Sequence, residues 1–212
     1  MIRVFFGNPG CGKTTTACKF MKRSKKHYDY AFSNFPVDDS IGRFVDFKDL
    51  GAWTFPQHSY IALDEAGIEY NNRNYKSLPQ HTIKWFKLHR HYKCDVDVFS
   101  QSWEDMDITI RRLADQLWYM RKIGPFTILR RFYKTIDILE TDRQIRDCFR
   151  KEKGIWLLLQ PLRLIGFSYI FPQLKGWRLT FRPLYYKYFD SWHVPLTPIR
   201  FKKESSLSGG SD

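Results

Sequence analysis

The stretch Gly7-Asn8-Pro9-Gly10-Cys11-Gly12-Lys13-Thr14 decides the fold of this chain, because it matches the pattern G-x-x-x-x-G-K-[ST] at every fixed position. The apolar run Val4-Phe5-Phe6 before it predicts a buried strand, and the residues from Thr15 to Lys22 can continue as a helix. In this context the backbone N–H groups of the loop point inward at a bound phosphate. The sequence therefore predicts a nucleoside triphosphate site, and the flanking elements disfavour the alternative, a glycine-rich turn without nucleotide.

The loop also assigns individual roles. Lys13 is expected to reach the β- and γ-phosphates, and the Thr14 hydroxyl is expected to bind Mg²⁺. The expected cofactors are therefore ATP and Mg²⁺. The predicted nucleotide-binding residues are Asn8, Pro9, Gly10, Cys11, Gly12, Lys13, Thr14 and Thr15.

A second apolar run, Ser59 to Leu63, predicts a strand that is closed by two acids, Asp64 and Glu65. An apolar strand ending in Asp is the Walker B pattern. Asp64 is expected to hold the Mg²⁺ through a water, and Glu65 to orient and deprotonate the attacking water. Two acids that merely end a strand are the alternative. The complete phosphate loop upstream favours the catalytic interpretation.

A third candidate strand, Val96 to Ser100, ends in Gln101. In additional-strand P-loop ATPases the strand between Walker A and Walker B carries a polar sensor at this place. The amide of Gln101 suits that role, because it can donate to the γ-phosphate and accept from the lytic water. The alternative is an ordinary glutamine at a strand end.

The order of elements predicts the fold class. Helices are expected from Ser77 to His91 and from a capping box at Ser102 and Asp105, and a strand is expected from Gln116 to Met120. Strands that alternate with helices predict an α/β fold with a doubly wound, mostly parallel sheet of the additional-strand P-loop type. Ligands bind such sheets at the carboxyl ends of the strands, where all the predicted catalytic residues fall.

Composition limits the class of protein. Of 212 residues, 43% are hydrophobic and 17% aromatic, which excludes global disorder, and a net charge of +13 favours a polyanionic partner over a merely soluble basic surface. The four cysteines form no C-x-x-C pair, which argues against a zinc or disulfide framework and indicates a reducing compartment. Because the first strand begins at Ile2, no cleavable signal peptide is expected, and the site is expected to face the cytoplasm.

These motifs resemble the zonular occludens toxin family, the assembly ATPases of filamentous bacteriophages, a branch of the FtsK/HerA-like P-loop ATPases. The element Arg90-His91 ahead of a strand ending in Gln101 is more specific than the Walker motifs. The matching stretches are Gly7 to Thr15, Ser33-Asn34, Ile61 to Ala66, Leu88 to His91 with Asp95 to Gln101, and Asp107-x-x-Ile110-Arg111 with the following strand.

The resemblance implies a ring-shaped homo-oligomer at the cytoplasmic face of the host inner membrane. It would use ATP to extrude single-stranded phage DNA and coat it, together with phage coat or other assembly proteins. Members of the family commonly carry a transmembrane helix after the ATPase domain. Here the candidate span, residues 154–171, is interrupted by Gln160, Pro161 and Arg163, so peripheral membrane contact is expected instead.

The chain is predicted to divide into an ATPase domain (1–123), a smaller basic, aromatic and β-rich part (124–203) and a flexible tail (204–212). The segments Phe126 to Lys134, Trp177 to Arg182 and Tyr185 to Phe189 mix cations with rings. Such a mixture indicates either half-buried strands with solvated cations or a surface that stacks single-stranded DNA. A helix with a solvated, charged face is predicted around residues 143–153.

In ring ATPases an arginine from the neighbouring subunit can stabilise charge on the γ-phosphate. Arg73, in the loop after Walker B, is the favoured candidate for this role, and Arg90, Arg111 and Arg112 are the others. The pair His89 and His91 does not share a helical face and lies beside no acid or cysteine cluster, so no metal site is expected there.

Three functions compete with the phage-assembly ATPase. They are a DNA-packaging or DNA-transfer motor of the same superfamily, a P-loop kinase and a nucleotide-switched scaffold. Glu65 beside Asp64 and the sensor-like Gln101 disfavour the kinase. The motifs do not state the direction of DNA movement, so extrusion and packaging stay open.

Overall fold

A computed structural model describes residues 1–46, 50–52, 56–64, 79–103, 106–138, 145–151 and 176–189. These residues form nine strands, three α-helices and one 3-10 helix around one mixed sheet. In chain order they are β1 (Ile2–Phe6), α1 (Lys13–Ser24), β2 (Tyr30–Ser33), β3 (Arg43–Phe44), β4 (Ser59–Leu63), α2 (Gln80–Leu88), β5 (Asp95–Ser100), α3 (Ile108–Leu113), β6 (Gln116–Ile123), β7 (Phe126–Ile138), β8 (Ile145–Lys151), β9 (Trp177–Phe181) and the 3-10 helix Arg182–Tyr188.

The sheet has the strand order β3-β2-β4-β5-β1-β6-β7-β8, and β9 pairs with β7 beside this path. The strands from β3 to β6 are parallel to their neighbours, whereas β7, β8 and β9 pair antiparallel. Strand β5 lies between β1 and β4, with Val96 opposite Ile2 on one side and Ile61 on the other. This is the additional strand that the sequence predicts between Walker A and Walker B.

Helices cover both faces of the parallel part. Because side chains alternate along a strand, Ile2 and Val4 of β1 face one way and Phe5 faces the other. The first pair belongs to a core with Phe86 of α2 and Ile110 of α3. Phe5 belongs to a second core with Ala17, Cys18 and Met21 of α1. The predicted doubly wound sheet is confirmed.

Helix α3 begins later than predicted. The capping box at Ser102 and Asp105 suggested the start, but the N-cap is Asp107, whose carboxylate accepts a hydrogen bond of 2.7 Å from the N–H of Thr109. Asp105 lies outside the described residues. The Asp107 carboxylate thus satisfies a donor that the first turn of the helix leaves unpaired.

One prediction for the C-terminal part is wrong. The helix predicted around residues 143–153 is strand β8, which pairs with β7 from Ile138 opposite Ile145 to Phe132 opposite Lys151. The pairing partner supplies hydrogen bonds that no local charge pattern reveals. The segment from Tyr185 to Phe189, for which half-buried strands and a DNA-stacking surface are both open from the sequence, lies largely in the 3-10 helix Arg182–Tyr188, whose first turn contains Pro183. Proline has no N–H for a sheet ladder but fits the start of a helix.

The predicted boundary between residues 123 and 124 falls in the turn between β6 and β7, where Gly124 has a φ of 52°. Strand β7 then pairs with β6, from Phe126 opposite Ile123 to Phe132 opposite Leu117. Residues on both sides of the boundary therefore share one sheet. No helix among the described residues is long and apolar enough to cross a membrane, and residues 154–171 lie outside them.

Candidate nucleotide site

The glycine-rich loop leaves β1 at the carboxyl edge of the sheet. Its first residue, Gly7, donates its N–H to the carbonyl of Ser100, the last residue of β5, at 3.3 Å. Gly10 and Gly12 have φ values of 71° and 94°, a region open to glycine but strained for other residues. The loop then runs directly into α1, whose first residue is Lys13. Strand, loop and helix are therefore arranged as the sequence predicts.

Lys13 folds back over the loop that precedes it. Its side chain is 8% exposed, and the ammonium donates to the carbonyls of Gly7 at 3.0 Å and Asn8 at 3.4 Å. An ammonium has three donors, so these two carbonyls fix its position without using all of them. The positive charge of Lys13 is thus fixed at the loop, where β- and γ-phosphates are expected.

Walker A and Walker B meet directly. The Thr14 hydroxyl donates a hydrogen bond of 2.6 Å to Oδ2 of Asp64, and Asp64 is 8% exposed. The backbone of Asp64 is in turn held by Asn34 at the end of β2: its N–H donates to Oδ1 of Asn34 at 2.7 Å, and its carbonyl accepts from Nδ2 at 2.9 Å. The sequence does not reveal this role of Asn34; the available signal was the stretch Ser33-Asn34, which resembles the family at the end of a strand.

The hydroxyl of Thr14 and the carboxylate of Asp64 fit a magnesium ion. Both offer hard oxygen ligands, and Mg²⁺ is held in such sites by one or two protein oxygens with waters and substrate phosphates. No cluster of three or more His, Cys, Asp or Glu side chains occurs in the described part of the chain. The two side chains are therefore suited to an ion that the nucleotide helps to bind.

Gln101 directly follows β5 and is exposed. Since Ser100 is opposite Phe6 in the sheet, Gln101 emerges beside the first residue of the phosphate loop. The structure thus brings together Lys13, Thr14 and Asp64 at one edge of the sheet, and the backbone of Gln101 lies at the same edge. Glu65 and Arg73 lie outside the described residues.

Two of the three described arginine candidates, Arg90 and Arg111, lie away from this edge. Arg90 forms an ion pair with Asp115, which also accepts the N–H of Ile2 at 2.7 Å, so Arg90 sits at the amino end of β1 with its side chain 69% exposed. Arg111 lies in the last turn of α3, with its guanidinium 6.0 Å from the ring of Trp103. Neither is placed to act on the phosphate loop of its own chain.

The C-terminal strands pack against the loop and its helix, which sequence reasoning missed. Lys19 of α1 is 6% exposed and donates to the hydroxyl of Thr180 on β9 at 3.1 Å. Lys22 donates to the phenol of Tyr188 at 2.8 Å. A lysine within the apolar face of α1 was the signal, because a buried cation needs a partner from elsewhere in the fold.

The basic and aromatic residues of this part stack on one another. The guanidinium of Arg178 lies 4.6 Å from the ring of Trp118, and that of Arg130 lies 5.1 Å from the ring of Trp177. Both are distances at which a cation is attracted to the face of an aromatic ring. Packing is thus one role of these cations, and contact with DNA stays a prediction.

A family model, described as zonular occludens toxin (Zot), matches residues 33–155, more than half of the chain. The chain belongs to the Zot family. The match spans Asn34, Asp64 and Gln101, whereas the phosphate loop lies before it. The loop of this Zot-family member is thus identified by its own motif and geometry.

A solved structure at 18% identity shares its fold, and others resemble it more weakly. The N-terminal domain of zonular occludens toxin from Neisseria meningitidis aligns with a TM-score of 0.51 at 18% identity, over 73% of this chain and 96% of that one. The DNA-packaging ATPase B204 of Sulfolobus Turreted Icosahedral Virus aligns with 0.45 at 13%, over 69% and 95%. The flagellar accessory protein FlaH of Methanocaldococcus jannaschii aligns with 0.47 at 9%, over 72% and 89%. No curated protein matches the chain.

The thiols near the site of this Zot-family chain are buried and stay protonated. Burial raises the pKa of Cys11, against the opposing effect of the Lys13 charge, and burial raises the pKa of Cys18 to about 12. Both therefore stay neutral at physiological pH. His89, for which no metal site is expected, is 4% exposed. Its Nδ1 donates a hydrogen bond of 2.6 Å to the carbonyl of Phe86, so the side chain packs inside the fold.

Proposed function

We propose that this chain binds and hydrolyses ATP to drive the assembly and extrusion of filamentous bacteriophage. The observation that carries the proposal is the contact of 2.6 Å between Thr14 and Asp64, with the Lys13 ammonium fixed on the same loop. A hydroxyl, a carboxylate and an ammonium at the carboxyl edge of a parallel sheet are what phosphoryl transfer in P-loop proteins requires. Membership of the Zot family supports the phage-assembly role.

Each residue has a defined task in this proposal. The loop N–H groups and Lys13 bind the phosphates, while Thr14 and Asp64 would hold Mg²⁺, which neutralises phosphate charge when bound. Gln101 orients the attacking water and contacts the γ-phosphate. Glu65, next to Asp64, takes the proton of that water.

The partners follow from the family and from charge. A net charge of +13 exceeds what one nucleotide needs and supports single-stranded DNA as a second anionic partner. We propose a homo-oligomeric ring in which Arg73 of a neighbouring chain completes the site. The ring would act with coat or other assembly proteins in the host cytoplasm, in peripheral contact with the inner membrane.

Steady-state ATP hydrolysis by the purified chain, with and without single-stranded DNA, tests the proposal. Turnover is expected in the wild type, loss of nucleotide binding in Lys13→Ala, and binding without turnover in Glu65→Gln. Lys26→Ala, an exposed lysine just after α1, is the matched control and should behave as the wild type. Near-normal turnover in both site variants would sink the assignment.

The same assay separates the competing functions. Phosphate release without an acceptor molecule indicates a hydrolase, and transfer only to an added acceptor indicates a kinase. Tight binding without turnover under any condition indicates a switched scaffold. Cells that carry the Glu65→Gln variant separate extrusion from packaging. If the chain drives extrusion, single-stranded phage DNA should accumulate inside these cells while phage release falls. If it drives packaging, assembled particles without DNA should accumulate instead.

A further inference from the structure

Two side chains from the second half of the chain contact the phosphate loop from outside. The hydroxyl of Thr127, on β7, is buried and donates a hydrogen bond of 2.6 Å to the carbonyl of Cys11. Arg182, the first residue of the 3-10 helix, donates from Nη1 to the carbonyl of Gly10 at 3.4 Å. These residues are 116 and 172 positions from their loop partners and belong to neither Walker motif.

The bond from Thr127 fixes the orientation of one peptide group in the loop. In a trans peptide the carbonyl and the following N–H point in opposite directions. Because the Cys11 carbonyl points at β7, the N–H of Gly12 points away from it and toward the inside of the loop. Inward N–H groups are what such a loop offers to a phosphate.

Gly12 is pressed against the same two side chains. Gly12 has a φ of 94°. A Cβ added to it would lie 2.4 Å from Oγ1 of Thr127 and 2.7 Å from Cδ of Arg182, which is closer than van der Waals contact allows. The loop therefore rests directly on Thr127 and Arg182. An outward rotation of the Gly12 peptide would bring it into steric conflict with these two side chains.

Arg182 is itself anchored. Its Nη2 donates to the carbonyl of Gly124, its Nε to the carbonyl of Pro125 at 3.4 Å, and its backbone N–H to the same Pro125 carbonyl at 3.0 Å. The guanidinium thus links the loop to the turn between β6 and β7. One side chain joins three segments that are far apart in sequence.

We propose that Thr127 and Arg182 are positioning residues of the nucleotide site, which hold the loop in its phosphate-binding conformation before the nucleotide arrives. Strand β7 and the 3-10 helix are then parts of the ATP site and not only an appendage to it. A preformed loop avoids the cost of ordering during binding, so the effect falls on nucleotide affinity. That the ligand is ATP rests on the proposed function; the ordering of the loop does not.

Binding of a non-hydrolysable ATP analogue to Thr127→Val, which keeps the shape and removes the donor, is the first measurement. The dissociation constant and the KM for ATP should rise about tenfold, the scale of one lost buried hydrogen bond, with kcat within about twofold. Thr127→Ser should restore affinity. The matched control is Thr82→Val, because the buried Thr82 hydroxyl donates to the carbonyl of Leu50 at 3.0 Å, away from the loop.

Alkylation of Cys11 by N-ethylmaleimide in nucleotide-free protein, located by mass spectrometry, is the second measurement. Cys11 is 3% exposed, so an ordered loop shields it, and Cys18 in α1 is an internal control. Thr127→Val and Arg182→Ala should be alkylated at Cys11 at least fivefold faster than wild type. Arg182→Lys should lie between them and the wild type, and Arg121→Ala, an exposed arginine on β6, should match the wild type.

The two measurements separate the two hypotheses. A wild type that binds no nucleotide ends the proposed function, and Cys11 alkylation still decides whether Thr127 and Arg182 order the loop. Unchanged alkylation and affinity in Thr127→Val overturn the positioning role. Equal losses of affinity and melting temperature in Thr127→Val and Thr82→Val also overturn it, since they indicate general destabilisation. If Thr127→Val does not fold, the partly exposed Arg182→Ala decides alone.

Discussion

The hydroxyl of Thr14 lies 2.6 Å from Oδ2 of Asp64, although the two residues are 50 positions apart in the chain. Thr14 sits in the first turn of α1, and Asp64 directly follows β4, two strands away from β1. The sheet brings them together because parallel strands end at the same edge. Changes to Asp64, or to the residue that holds its backbone, should therefore alter the Mg²⁺ dependence of turnover.

Removal of the Asp64 carboxylate should affect the metal requirement of ATP hydrolysis. Asp64→Asn removes the negative charge that attracts Mg²⁺. Turnover should fall by roughly 100-fold, because the metal supplies several kcal/mol of stabilisation to the charge of the transition state. A titration of Mg²⁺ at saturating ATP measures this. Thr14→Ser keeps the hydroxyl and should need the same Mg²⁺ concentration as wild type, whereas an unaltered requirement in Asp64→Asn would contradict the assigned role.

Asn34 should matter through Asp64. Asn34→Ala removes both hydrogen bonds to the Asp64 backbone. Leaving such partially buried groups without a partner should lower the free energy of unfolding by about 1–3 kcal/mol. Turnover and Mg²⁺ affinity should both decrease. Ser33→Ala is the neighbouring control, since its hydroxyl donates to the carbonyl of Phe35 at 2.7 Å and not to Asp64. Equal kinetics in the two variants would show that Asn34 does not position Asp64.

A buried ionic cluster in the middle of the sheet should dominate stability. Asp97 on β5 is fully buried and accepts from Arg3 on β1 and from the phenol of Tyr60 on β4, each at 2.5 Å. Burial and the Asp97 charge raise the pKa of Tyr60 well above its usual value, so the phenol stays a donor. Asp97→Ala should lower the free energy of unfolding by about 3–5 kcal/mol, because it leaves a buried charge unpaired.

Urea unfolding at neutral pH measures that loss. Asp95→Ala is the control: Asp95 lies two residues earlier on the same strand and pairs with the N-terminal amine, which is 44% exposed. It should cost about 1 kcal/mol or less. If the two variants lose the same stability, the cluster is not the stabilising feature we infer.

His89 should make the fold sensitive to mild acid. Burial lowers the pKa of His89 below its ordinary value, so the unfolded chain binds a proton more readily than the folded one. Stability is therefore unaffected above the unfolded pKa of about 6.5 and decreases as the pH falls through it. Urea midpoints at a series of pH values between 7.5 and 5.5 should decline in the wild type.

His89→Gln should flatten this decline, whatever its effect on stability at neutral pH. His27→Gln, at an exposed position after α1, should leave the slope as in the wild type. The same slope in His89→Gln and wild type would exclude His89 as the titrating group.

Much of the candidate nucleotide site was predictable from the sequence, because each of its motifs lies within one short stretch of the chain. The phosphate loop, the strand ending at Asp64 and the strand ending before Gln101 each combine an apolar run with a polar end, and the rule that parallel strands end together places them side by side. The error at β8 has the opposite cause. Its residues alternate charges in a way that also fits a helix, and only pairing with β7 selects the strand.

The sequence by itself determined the P-loop fold and the family, and it predicted the roles of Lys13, Thr14 and Asp64, since these depend on backbone conformations and chemistry encoded within short stretches. Only the tertiary structure decided that β7 and β9 extend the same sheet and that β7 and the 3-10 helix contact the loop. Contacts such as Thr127 with Cys11 join residues 116 positions apart. Such contacts arise from strand pairing, whose register depends on the complementary partner and not on either segment alone.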